Sequence, residues 1–170
     1  DHWRKLGYAV PNSVCIPNGI NTGEFCPDPA AGAALRAKLG IPDDALLIGM
    51  VARMDPAKDY PSFLQAAAII APQLPNARFL CLGEGDPAYR DNLMSLAAQH
   101  GIPERFSWPE PTRDMKAVYN SLDVFCLSSH AEGFPNVVAE AMACGRHCVV
   151  SDVGDAGAIV GDCGWIVPPR

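Results

Sequence analysis

The sequence predicts an α/β fold built on a doubly wound parallel sheet, in a single domain over residues 1–170. Three observations carry that prediction. Apolar runs of strand length alternate with segments of helical period, joined by short connections, and no repeat or low-complexity stretch interrupts them. The runs are apolar throughout rather than alternating in polarity, and such strands need helices on both faces of their sheet. A content of 49% hydrophobic residues in 170 positions is enough for one sizeable core.

The elements follow in order. After an N-terminal segment and a short apolar stretch at 14–16, helix signals cover 30–39 and an apolar strand covers 46–52. Residues 59–71 place Phe63, Leu64, Ala67, Ile70 and Ala71 at helical spacing, with Pro61 in the first turn and Pro72 as the stop. Further strands are expected at 77–82, 106–108, 123–127 and 147–151, and further helices at 88–100, 112–120 and 135–144. Before the last of these helices lies a loop in which Gly133 is free to take unusual backbone angles. Pro135 suits the first turn after it, where its missing amide hydrogen would have no partner in any case.

Composition excludes several classes of function. Thirteen basic residues against nineteen acidic ones give a net charge of -6, which argues against a general nucleic-acid or anionic-membrane surface. Any phosphate has to be bound locally. No apolar run reaches transmembrane length, and Asp1-His2-Trp3-Arg4-Lys5 is not followed by a signal-peptide core, so a soluble, cytoplasmic protein is expected. The seven cysteines are odd in number and contain no Cys-x-x-Cys pair. Cys81, Cys126 and Cys148 fall inside apolar runs, which points to buried free thiols in a reducing compartment. His2, His100, His130 and His147 are scattered, and no spacing makes a zinc set, so no metal site is assigned.

Ligands of doubly wound sheets sit beyond the carboxyl ends of the strands, which directs attention to the turns there. Arg53 closes the 46–52 strand, and Lys58 falls just before a helix that Asp59 can cap. A lysine at a helix N-terminus opposes the dipole at about 0.3–1 kcal/mol, and an anion shared with that helix end accounts for it. In residues 130–150, Glu132 and Glu140 flank the Gly133-Phe134-Pro135 turn, and the amides from Phe134 to Asn136 make a ready anion site at the helix start. Val137, Val138, Ala141 and Met142 share one helix face, and Glu140 lies just off it beside Cys144. It is the only charge between Asn136 and Cys144, and a carboxylate there needs a partner. A solvated Glu140, and a surface Arg53 and Lys58 in a polar loop, are the plain alternatives. Gly83-Glu84-Gly85-Asp86-Pro87-Ala88 formally satisfies the G-x-G-x-x-A dinucleotide fingerprint. A strand and a helix already precede it, however, and Glu104 and Glu110 are poor matches for a ribose-binding acid. A tight turn lining the crevice is the better reading.

Taken together, these motifs resemble the nucleotide-sugar-binding half of the retaining glycosyltransferases of GT-B fold related to glycogen and sucrose synthases, which bear a Glu-x7-Glu motif. The resemblance covers nearly the whole chain. It rests on Val14-Cys15-Ile16-Pro17-Asn18-Gly19-Ile20-Asn21, on Val51-Ala52-Arg53-Met54-Asp55-Pro56-Ala57-Lys58, on Gly83-Glu84-Gly85, and on Glu132 to Glu140 with Glu140-Ala141-Met142-Ala143. It implies a Rossmann-like domain in which Arg53 and Lys58 bind the donor diphosphate, Glu132 orients the donor sugar and Glu140 takes the ribose hydroxyls. Gly83, Gly85, Gly133, Phe134, Pro135 and Asn136 line the donor site, backbone near residues 107–109 meets the base, and Trp108 is either a stacking surface or a core residue. The donor is a UDP-, GDP- or ADP-sugar, with no further cofactor and no metal. The implied reaction is hexosyl transfer with retention to a sugar or lipid-linked acceptor, as in polysaccharide biosynthesis. The family also implies an N-terminal acceptor domain and a C-terminal crossover helix outside these residues, and therefore a fragment that binds donor but transfers poorly alone. That domain would also supply any peripheral membrane contact. Departures from the family pattern are Asp59 where Gly is usual, Gly145-Arg146-His147 for Gly-x-Pro, and Val153-Gly154-Asp155 for a Gly-Gly pair. The rival readings are a nucleotide- or sugar-binding module without catalysis and a GT-B sugar epimerase.

Overall fold

A computed structural model describes Gly7, Val14 and residues 16–170; the readings at residues 1–5 and at Cys15 lie outside the described residues. Val14 and Ile16 are exposed and belong to no regular element. The elements are α1 (Pro29–Lys38), β1 (Leu46–Val51), α2 (Tyr60–Ile70), β2 (Ala77–Leu82), α3 (Pro87–Gln99), β3 (Phe106–Ser107), α4 (Met115–Ser121), β4 (Val124–Leu127), α5 (Asn136–Ala143), β5 (His147–Ser151), α6 (Ala156–Val160) and β6 (Gly164–Val167).

Aspartates start most of the helices. Asp28, Asp59, Asp86 and Asp114 each accept a backbone amide in the first turn of the helix that follows, and proline stands in the first turn of α1, α2 and α3. At α4 the cap is reached later than expected. Thr112 Oγ1 accepts from the Asp114 amide at 3.1 Å, and the helix begins at Met115 rather than at 112. Pro135 occupies the cap position of α5, one residue outside the helix it was expected to open. The short, glycine-flanked α6 and β6 carry too little pattern to be read from sequence.

All six strands pair in parallel, in the order β3-β2-β1-β4-β5-β6. The winding direction reverses between β1 and β4, where Ile48 faces Val124 and Met50 faces Cys126. That is the switch point of a doubly wound sheet, and the crevice beyond the strand ends opens there. α1 packs on α4, α2 on α3, and α5 on α6 and β5. β1 and β2 are buried almost throughout, as continuous apolar strands predict. β4 alternates, with Val124 and Cys126 half-buried, and Trp165, Ile166 and Val167 of β6 are exposed. The doubly wound parallel sheet with flanking helices is as expected, and β1 and β2 are more fully buried than β4 and β6. The six described cysteines are free; Cys81, Cys144 and Cys148 are buried, Cys26 and Cys126 half-buried and Cys163 exposed. No described helix is long and apolar enough to cross a membrane.

Candidate functional site

The site begins on the β1 side of the switch point. Beyond β1 the Ala52 amide donates to Leu82 O at 3.1 Å and the Met54 amide to Glu84 O at 2.7 Å, so the chain runs on beside the Gly83-Glu84-Gly85 turn. The approach excludes side chains: a Cβ on Gly83 would lie 1.7 Å from the Ala52 carbonyl oxygen, and one on Gly85 2.4 Å from that of Met54. These two glycines thus hold the segment that carries Arg53. Asp86 caps α3 with its own carboxylate, accepting from Ala88 N at 3.1 Å.

Arg53 stands between those anchors with 71% of its side chain exposed. Its Nε donates to Asp55 Oδ2 at 2.5 Å, and this hydrogen bond holds the Asp55 carboxyl below the usual carboxylate range. Asp55 also caps the 3-10 turn Pro56–Lys58, which delivers Lys58. Asp59 ends the turn at φ 50°, a left-handed conformation that short polar side chains tolerate and glycine takes freely.

The loop after β4 folds back on this turn. Ser128 Oγ donates to Asp59 O at 2.8 Å, the His130 amide donates to Ala57 O at 2.8 Å, and Lys58 Nζ meets Glu132 Oε1 at 2.7 Å. The fully buried Ser129 donates its hydroxyl to the same Glu132 oxygen at 2.6 Å. Only 17% of the Lys58 side chain and 8% of the Glu132 side chain are exposed, so this ion pair is nearly dry. Behind the loop, the Asp155 amide donates to Gly133 O at 2.9 Å. Gly154, at φ 56°, presses so close that a Cβ on it would lie 2.3 Å from Glu132 O. Gly133 itself is exposed and takes no positive φ, contrary to its expected role; the unusual backbone belongs to Gly154.

Arg53, Lys58, Glu132, Phe134, Pro135 and Asn136 line one cavity of about 300 Å³ at the switch point. Asn136 is further tied to the N-terminal stretch by accepting from Asn18 Nδ2 at 3.0 Å. Glu140 does not line this cavity. It sits farther along α5, half-buried, and its Oε2 accepts from Tyr119 Oη on α4 at 2.6 Å. Burial first, and then this bond, push the Tyr119 phenol up from its ordinary value. Glu140 therefore has a protein partner that the helical pattern of α5 alone did not reveal. Trp108 is half-buried and stacked on Phe106, with ring centroids 5.7 Å apart, in line with Phe79 beyond. It extends the core and lies outside that cavity. Ser129, Tyr119 and Gly154 were missed by sequence reasoning; the departure at Val153-Gly154-Asp155 was the one available signal.

The chemistry on offer is compact. Among the described residues Arg53 uses Nε on Asp55 and keeps both Nη groups, and Lys58 uses one of three donors on Glu132. The start of α5 lines the same space, and among the described residues each glutamate keeps one oxygen free of protein hydrogen bonds. Among the described residues no three His, Cys, Asp or Glu side chains converge on a point that holds a metal.

Fold and cleft together define a Rossmann-like α/β domain of the kind that forms the C-terminal half of GT-B glycosyltransferases, with two cations at the switch point. A profile of the family described as Glycosyl transferases group 1 matches residues 45–170, and the chain belongs to that family. Among its relatives, D-inositol 3-phosphate glycosyltransferase of Saccharomonospora viridis is 33% identical over 99% of this chain and 41% of its own length. The crystal structure of Anabaena HepE in complex with UDP superposes with a TM-score of 0.89 at 22% identity, covering 98% of this chain and 46% of that one. Sucrose-phosphate synthase of Thermosynechococcus elongatus gives a TM-score of 0.79 at 29% identity over 91% of this chain and 39% of its own. The chain thus spans less than half the length of these relatives.

Proposed function

We propose that this chain is the donor half of a retaining, metal-independent glycosyltransferase of the Glu-x7-Glu group, binding a nucleotide-diphosphate sugar and presenting its hexosyl group for transfer. The observation that carries the reading is the meeting of Arg53, Lys58, Glu132 and the α5 start in one cavity at the switch point. The UDP and UDP-glucose complexes of Anabaena HepE, and the name of the Saccharomonospora relative, support a sugar nucleotide as ligand.

In this reading the diphosphate takes the free Nη groups of Arg53, the spare protons of Lys58 and the α5 amides. The bond from the anomeric carbon to the diphosphate oxygen breaks, its electron pair leaves with the nucleotide, and the two cations stabilise that charge without a metal. The acceptor hydroxyl attacks from the same face and gives its proton to the departing diphosphate oxygen, so configuration is retained. Glu132 holds donor sugar hydroxyls with its free oxygen, and Glu140, braced by Tyr119, takes the ribose hydroxyls. The base lies toward Pro109, which lines a larger cavity of about 680 Å³ beside α4. The acceptor, a sugar or a lipid-linked sugar in polysaccharide synthesis, is held by a second, N-terminal domain of a cytoplasmic enzyme. This chain alone binds donor and transfers poorly, because water is excluded only when two domains close. Calorimetric titration of UDP, GDP and ADP, with and without attached sugars, tests the reading, and the full-length reading frame separates a two-domain enzyme from a binding module.

A further inference from the structure

We infer that Ser129 is a positioning residue for donor recognition, its buried hydroxyl fixing the Glu132 carboxylate so that one oxygen stays presented to the donor sugar; this rests on the donor reading above. The two serines that follow β4 diverge. Ser128 Oγ turns to the 57–59 turn and reaches Asp59 O at 2.8 Å, whereas Ser129 Oγ donates to Glu132 Oε1 at 2.6 Å. Ser129 is fully buried, so no solvent competes for that proton. Its backbone is pinned from the neighbouring strand, where the buried Ser151 at the end of β5 donates from Oγ to Ser129 O at 2.5 Å. Through Ser151 and Ser129 the carboxylate is tied to the ends of two paired strands.

Glu132 Oε1 takes two donors, Ser129 Oγ and Lys58 Nζ at 2.7 Å, and among the described residues Oε2 takes none. The two donors differ in kind. Lys58 carries its charge on a flexible four-carbon stem and keeps spare protons. In the donor reading the diphosphate draws on the same ammonium, and an ammonium shared with a diphosphate holds Glu132 less firmly. Ser129 has a single proton and gives it to Glu132 alone. With donor bound, the serine is therefore what keeps the glutamate in place. An ionised carboxylate only accepts hydrogen bonds, and its remaining oxygen suits the hydroxyl donors of a sugar. Ser129 thus governs the sugar-dependent share of the affinity and leaves the diphosphate and nucleoside contacts alone. A serine that merely satisfied a buried carboxylate would affect every ligand of the cavity alike.

The experiment is calorimetric titration of the 170-residue chain with UDP, GDP and ADP and with their glucose conjugates, using wild type, Ser129→Ala, Glu132→Ala and the double variant. The quantity read is the ratio of sugar-nucleotide to nucleotide affinity, compared between variants so that the charge difference between the two ligands cancels. Ser129→Ala is expected to weaken binding of the preferred sugar nucleotide about three- to ten-fold, and of its parent nucleotide less than about two-fold. In the Glu132→Ala background the same substitution changes neither, because the carboxylate it positions is gone. Ser129→Cys, close in volume and a weak donor, reads the same selective loss should Ser129→Ala not fold. Equal loss for both ligands, no loss for the sugar nucleotide, or a sugar-selective loss that persists without Glu132 overturns the inference while leaving the donor reading intact. Failure of every nucleotide and sugar nucleotide to bind wild type overturns both.

Discussion

Gly154→Ala is the sharpest structural perturbation of the site, because it touches no ligand and none of the charged groups. Its added Cβ would lie 2.3 Å from Glu132 O and 2.5 Å from Gly133 O, both backbone atoms that cannot swing aside. Overpacking of this kind costs about 1–3 kcal/mol. The φ of 56° adds about 1–2 kcal/mol for a residue with a Cβ in left-handed backbone. The total of about 2–5 kcal/mol is a large part of a typical domain stability of about 5–15 kcal/mol. At about 2–4 °C per kcal/mol for a chain of this size, the unfolding midpoint falls by about 4–20 °C. Gly133→Ala is the matched control, since a Cβ there meets nothing within 4 Å and φ is not positive. Its effect stays within about 0.5 kcal/mol. Thermal unfolding followed by circular dichroism reads both variants. A Gly154→Ala midpoint indistinguishable from wild type, or a Gly133→Ala midpoint just as low, refutes the claim that Gly154 backs the Glu132 loop.

Tyr119→Phe removes the partner of Glu140 and costs about 0.5–1.5 kcal/mol of stability near neutral pH by urea denaturation. The folded chain holds the Tyr119 proton more tightly than an unfolded tyrosine does, so this stabilisation is complete below about pH 10 and is lost as pH rises above it. The variant should therefore lose stability less steeply than wild type above that pH, and equal slopes contradict the assignment. Alkylation with iodoacetamide, mapped by peptide mass spectrometry, should modify the exposed Cys163 first. Cys148, whose thiol burial pushes up to about 12, should react only on unfolding. Comparable rates at the two cysteines would show the sheet to be open where it is described as packed.

The order of strands and helices was legible because apolar runs and aspartate or proline starts are local signals. β2 at Ala77–Leu82 and β5 at His147–Ser151 fall on their expected residues, and the remaining elements shift by one residue or, at α4, by three. α6 and β6 were not legible, since five- and four-residue elements carry too little period. Burial is fullest on β1 and β2, while β4 alternates and β6 is largely exposed, because sequence reports that a strand is apolar but not what lies over each face. Within the site, Arg53, Lys58 and Glu132 were found as charges at strand ends. Ser129 beside Glu132 and Tyr119 beside Glu140 were not found, because both are ordinary residues until the chain folds, and the closeness of Gly154 to Glu132 is a contact between distant loops.

The account turns on Arg53 and Glu140 serving one nucleotide diphosphate from opposite ends. Titration of UDP, GDP and ADP against wild type, Arg53→Ala and Glu140→Ala tests that claim most directly. Loss of a charge-assisted contact is worth about 1.5–3 kcal/mol, so each variant should weaken binding of the preferred nucleotide about ten-fold or more. Binding by none of the three nucleotides, or unchanged affinity in both variants, would contradict it.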